Sequence, residues 1–261
     1  MKKLLSLSAL VGLLAIPFIA QAQFASGVIA YNPGSGFSPN FTNTSAALGA
    51  PASGSGITPF APPFSTSQIV SIGAGGSLTL QFNTPILNNP ANAYGIDMMI
   101  FGNSFFVVTS GSGSSAITSG AVFTSTISTR VEVSADGSTW FMLDPGLAPN
   151  VGTLFPTDGT GNPFVPVNPA LTSADFNGSN LSGIRALYGG SAGGTGFDLS
   201  WARDENGNPV DLQSASFLRI DVLSGRTQID AVSVVPEPGA SMIAAIGVLS
   251  LAIVRRRKAK K

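Results

Sequence analysis

Arg130-Val131-Glu132-Val133-Ser134-Ala135-Asp136-Gly137-Ser138-Thr139-Trp140-Phe141 is the stretch on which the reading of the fold turns. Val131 and Val133 alternate with polar side chains, the period of a strand that buries one face. Asp136-Gly137 supplies the positive φ that a tight reversal needs, and Trp140-Phe141 begins a return strand. The stretch therefore predicts a β-hairpin.

The same signals repeat outward from it. Residues 27–31 form a short β-branched run followed by the turn Asn32-Pro33-Gly34-Ser35-Gly36, and residues 77–82 alternate with Leu78, Leu80 and Phe82 on one face. Residues 95–101 are continuously apolar except for Asp97, which fits a central strand covered on both sides. Asp97 is then either a carboxylate satisfied by hydrogen bonds or a site residue, because a buried acid needs partners. Residues 217–222 and 229–234 complete the strand set, residues 37–64 read as ordered loop, and residues 109–120 have the Ser/Gly composition of a loop tip. The expectation for residues 23–234 is one all-β body.

Both ends are set apart from this body. Lys2 and Lys3 precede an apolar stretch, and Ala20-Gln21-Ala22 has the small-x-small form of a signal-peptidase site, so residues 1–22 read as a signal peptide. Residues 235–261 contain Pro236-Glu237-Pro238, an apolar run over 240–254, and a basic end with Arg255, Arg256 and Arg257. As a helix the run is roughly 22 Å long, against a hydrocarbon core of roughly 30 Å. The arginines mark its cytoplasmic end.

This tail resembles the PEP-CTERM sorting signal of Gram-negative bacteria, with Pro236, Glu237, Pro238 and Arg255 to Arg257 at the matching positions. The resemblance implies export, a transmembrane sorting helix that holds the protein transiently in the cytoplasmic membrane, and processing by an exosortase-type enzyme. It also implies a cell-surface or extracellular-matrix destination in species that make exopolysaccharide. Residues 197–212 resemble a segment common in bacterial PEP-CTERM surface proteins with a sandwich body, while the hairpin motif and the run Phe217-Leu218-Arg219-Ile220-Asp221-Val222 resemble discoidin-like or galactose-binding-like jelly-roll sandwiches. That second resemblance implies a jelly-roll-type antiparallel β-sandwich concerned with adhesion or glycan binding rather than catalysis. A purely structural matrix protein without a ligand and an extracellular carbohydrate-active hydrolase are the alternatives.

Charge and residue types narrow the chemistry. All five lysines and three of the eight arginines lie in the terminal segments, leaving five arginines against 13 acids between Gln23 and Gly239, a net charge of −8. Such a body repels phosphate backbones, which excludes nucleic acid as a partner. The chain has no Cys and no His, and its body has no Lys. Thiol nucleophiles, Ser-His-Asp triads and Cys/His zinc sites are therefore absent, and about 210 residues must fold on apolar burial alone.

Asp204, Asn206, Asn208 and Asp211 place four oxygen-bearing side chains around Gly207. Hard cations such as Ca²⁺ are held by oxygens of this kind, although the spacing is not that of an EF-hand. The same residues also suit a turn in which Asp and Asn bond their own backbone. Asp198, Asp204 and Glu205 are close enough in sequence to be weighed as a glycosidase pair, but nothing in the sequence makes them converge on one sugar. Trp140, Trp201, Tyr94 and Tyr188 are the aromatic side chains considered for sugar stacking; large aromatics are more often core.

Overall fold

A computed structural model describes residues 23–123 and 126–236. The strands and helices, in chain order, are β1 (Gln23–Phe24), β2 (Gly27–Asn32), β3 (Val70–Gly73), β4 (Ser77–Leu87), β5 (Met98–Gly102), β6 (Phe105–Ser110), β7 (Ile117–Phe123), β8 (Ser128–Ser134), β9 (Phe141–Leu143), α1 (Ser173–Phe176), α2 (Leu181–Tyr188), β10 (Thr195–Phe197), β11 (Ala202–Arg203), β12 (Ser214–Ser224) and β13 (Arg226–Val234). The protein is mostly β, and the strands pair antiparallel throughout. A six-stranded sheet runs β11-β9-β8-β12-β4-β2, a five-stranded sheet runs β1-β13-β5-β10 with β3 also paired to β13, and β6 and β7 form a separate hairpin.

Register explains how the alternating patterns become a core. Leu80, Leu218 and Val133 stand in one row across β4, β12 and β8, and Leu78, Ile220 and Val131 in the next. All six are buried, and they share one cluster with Val70, Ile72, Ile100 and Val232 of the five-stranded sheet. Each such side chain contributes about 1.5–3 kcal/mol relative to exposure, which is how a chain without disulfides holds together. The other face of the five-stranded sheet is also covered, by Ile96, Met99, Phe101, Ala192, Ala231 and Val235. This double cover is why β5 is apolar at every position.

The predicted hairpin is formed by β8 and β9, with Glu132 opposite Met142 and Val133 opposite Phe141. Its turn is closed by Asp136, whose Oδ1 accepts the backbone N–H groups of Ser138 and Thr139 at 2.8 Å each. The return strand starts at Phe141, one residue later than the sequence suggests, because the Trp140 ring lies against Arg219 instead.

Three features depart from the sequence reading. Residues 109–120 are a loop tip only at 111–116; the flanks belong to β6 and β7, whose register shifts break the alternation that would have marked them. Helix α2 is capped by Asn180, whose side chain accepts the Gly183 N–H at 3.0 Å, and ends at Gly189 in the left-handed region. Helices α1 and α2 pack with β6 over a second cluster of Phe106, Phe155, Val167, Phe176, Ile184 and Tyr188. Asp158 anchors this region: both of its oxygens accept from Arg185, at 2.6 and 3.0 Å. Burial alone would raise its carboxyl, but Arg185 and Thr160 outweigh that and hold it below the usual range.

Among the described residues no helix is long and apolar enough to cross a membrane. The apolar run 240–254, expected as the sorting helix, lies outside the described residues, as do residues 1–22.

Asp230 generates a pH dependence. It is buried, its carboxylate accepts the Ala52 N–H at 2.9 Å, and burial raises its carboxyl to about 7. An unfolded Asp titrates near pH 3.9, so between about pH 4 and pH 7 the folded state binds more protons than the unfolded one. Stability contributed by the protonated form is complete below that window and lost as pH rises through it. Urea denaturation should therefore show stability falling by about 2–4 kcal/mol from pH 4 to 7. Asp230→Asn, which can still accept the Ala52 N–H, should remove most of that slope and leave the smaller part due to Asp97, raised to about 6. An unchanged slope would show that Asp230 does not carry it.

Candidate functional site

Two surface features are built where distant strands meet. The first is a charge lattice on the outer face of the six-stranded sheet. Pairing of β8 with β12 sets Arg130 opposite Asp221 and Glu132 opposite Arg219. Arg130 Nη2 donates to Asp221 Oδ2 at 2.8 Å, and Arg219 donates to Glu132. Contacts of 3.6 Å along each strand join Arg130 to Glu132 and Arg219 to Asp221, while the Arg219 guanidinium lies 4.7 Å from the Trp140 ring centre. Two cations and two anions in alternation neutralise one another. Such pairs contribute at most about 1 kcal/mol each at a surface, and they present no uncompensated charge to a ligand.

The second feature is a cleft of about 380 Å³ between the 62–64 loop, the β5–β6 junction, the end of β7 and the start of β13. Phe105 and Phe123 face each other across β6 and β7 and stack at 4.8 Å. Phe64 is held from behind: the Gln68 Oε1 accepts the N–H groups of both Phe64 and Ser65, at 3.2 and 3.1 Å, and its ring packs 5.3 Å from Phe41. Even so, Phe64 is 68% exposed and Phe123 60%. Every other phenylalanine among the described residues is buried or half-buried, so two large apolar rings left open beside one cleft stand out.

Polar groups on β13 complete the lining. Arg226 and Gln228 are two residues apart on a strand and so share one face. Asn103 joins them from the β5–β6 junction. The described lining carries the guanidinium of Arg226 and no carboxylate. A guanidinium, two amides and open aromatic rings together equip this cleft to orient and bind a ligand.

The side chains singled out by sequence lie elsewhere. Tyr188 is buried, its hydroxyl donating to the Pro156 carbonyl at 2.8 Å. Trp201 packs edge-on to Phe197 in the core, Trp140 belongs to the charge lattice, and Tyr94 stands exposed at φ 61° in a connection before β5. They form no common stacking face. Asp198 accepts the Ser200 N–H at 2.7 Å and begins a 3-10 turn. Glu237, Pro238, Arg255, Arg256 and Arg257 lie outside the described residues, and Pro236 is the last residue within them.

The cleft was not legible in the sequence, because its lining comes from six separate segments spread between Ser38 and Gln228. The one local signal was Gly225-Arg226, a cation placed directly after a turn glycine. No protein-family model and no curated protein matches this chain.

The Asp204 loop has the geometry of a self-bonded turn. Asp204 Oδ1 accepts the N–H groups of Asn206 and Asn208 at 2.9 and 2.8 Å, and Oδ2 accepts the Asn208 side-chain amide at 3.0 Å. The Asn208 contacts first, and then Asn206, hold its carboxyl below the usual range. Asp211 accepts instead from the Gln213 amide. A cation would have to displace these bonds. Melting curves in millimolar Ca²⁺ and in EDTA are therefore expected to coincide; a rise of several degrees in Ca²⁺ would establish Asp204, Asn206, Asn208 and Asp211 as a calcium loop.

Proposed function

We propose that this is an exported cell-surface or extracellular-matrix protein, sorted by its PEP-CTERM-type tail, whose body is a jelly-roll-type β-sandwich that binds glycan without catalysing a reaction. The observation that carries the glycan reading is the open pair of rings, Phe64 and Phe123, beside the Arg226 cleft. Pyranose rings present an apolar C–H face edged by hydroxyls, and an aromatic ring is the side chain that covers such a face while amides at the rim satisfy the hydroxyls. Asn103 and Gln228 stand where rim amides are needed. The sandwich reading is supported by the single hydrophobic cluster to which both large sheets contribute. The sorting reading is supported by Pro236-Glu237-Pro238 directly after the last strand and by the basic end beyond the apolar run.

Two outcomes are expected. On a glycan array, the full chain purified in detergent should bind, and Phe64→Ala with Phe123→Ala should abolish the signal without lowering the melting temperature, since both rings are largely exposed. An array without signal would favour a structural matrix protein. Mass spectrometry of protein recovered from the medium should show Gln23 as the first residue and a C-terminus near Pro236. A soluble extracellular product still carrying Arg255 to Lys261 would refute the sorting reading.

A further inference from the structure

We infer that the cleft selects acidic sugars, taking a polysaccharide segment with carboxylated, uronate-type residues whose carboxylate meets Arg226 while the ring lies on Phe64 and Phe123. The inference rests on the glycan reading and adds the charge of the sugar to it.

Charge distribution is the main argument. The body is strongly acidic, and four of its five arginines are committed to carboxylates: Arg130 to Asp221, Arg185 to Asp158, Arg203 to Asp144 and Arg219 to Glu132. Arg226 alone forms no ion pair among the described residues, and it is exposed. In a body where anions outnumber cations, a cation left unpaired in a cleft whose described lining holds no carboxylate is the position where an external anion fits. Across the β3–β13 pairing Arg226 faces Gly73, which has no side chain to cover it.

The shape of the lining then chooses among anions. A guanidinium offers a planar fork that matches a carboxylate. Beside it stand two amide side chains and two open aromatic rings, which a bare inorganic anion would leave unused. A uronate presents a carboxylate, hydroxyls and an apolar ring face together, so each part of the lining has a counterpart.

The test uses trimers of galacturonic acid and their fully methyl-esterified form, which share ring and size and differ in charge. Trimers also keep small the general repulsion between a polyanion and the acidic body. By isothermal titration of the full chain in detergent, the free acid should bind about three- to fivefold more tightly than the ester, the range expected for one exposed ion pair. Arg226→Gln should bring the acid down to the level of the ester with no change in melting temperature, and Phe64→Ala should weaken both forms alike. Equal binding of acid and ester, or a preference that survives Arg226→Gln, overturns the selectivity and leaves the glycan reading standing. Comparable binding of glutamate oligomers would assign the cleft to an acidic peptide and overturn it as well. Binding of neither trimer would overturn both readings.

Discussion

The junction between β12 and β13 is the constraint on which the rest of the body depends. These two long strands follow one another directly, yet β12 is central to the six-stranded sheet and β13 to the five-stranded one. The chain must therefore leave one sheet and enter the other within a single tight turn, and that turn is Ser224-Gly225-Arg226. Gly225 sits at φ 76°, and a Cβ there would lie 2.2 Å from the Thr126 carbonyl oxygen. Both facts demand glycine: the backbone conformation disfavours a side chain and the space is already filled. Once this turn is set, Leu218 and Ile220 point into the same cluster as Ile229 and Val232, and Arg226 is delivered to the mouth of the cleft.

How much of this was legible depended on whether the information was local. Strands with one buried face, such as β4 and β12, declared themselves through alternation, and β5 through continuous apolarity, because those patterns are set by the strand and its immediate cover. Helix α2 carried its own signals: Asn180 and Gly189 as caps, with Ile184, Leu187 and Tyr188 at helical spacing. They were obscured because Asn180-Leu181-Ser182 also fits a glycosylation sequon and the flanks are rich in Gly and Ser. The cleft left no trace of that kind. Phe64, Phe105 and Phe123 are unremarkable within their own segments, Arg226 is marked only by the glycine before it, and only the folded topology places the four together. The charge lattice is an intermediate case. Arg130, Glu132, Arg219 and Asp221 could be assigned to strands, but their pairing required the register of β8 against β12.

Asp97 shows how a residue open to two readings is settled by its partners. Its Oδ1 accepts from the Asn89 N–H and the Asn92 amide at 3.0 and 2.9 Å, and its Oδ2 accepts the Leu199 N–H at 2.9 Å. Its backbone N–H reaches the Phe197 carbonyl, and its carbonyl receives the Val235 N–H. One residue thus ties the β4–β5 connection, the turn after β10 and the exit from β13. Burial still raises the carboxyl to about 6 against these hydrogen bonds, but the group is enclosed by protein and reaches no cleft. A perturbed acid is here a consequence of holding three segments together.

The acidic balance of the body raises a final question: how so few cations suffice. Many of the acids need no cation. Asp136, Asp175 and Asp204 accept backbone N–H groups within their own turns, which depresses each carboxyl below its usual range. Asp97 and Asp230 are buried and shifted upward, so part of their charge is removed by protonation in mildly acidic medium. The arginines are then reserved for carboxylates in or between the packed elements, among them Asp158 beneath the helices and Glu132 and Asp221 on the sheet. Because self-bonded turns and burial accommodate Asp97, Asp136, Asp175, Asp204 and Asp230 without a cation, the body can leave Arg226 uncommitted, and its position beside exposed rings is what separates this cleft from the other polar surfaces of the protein.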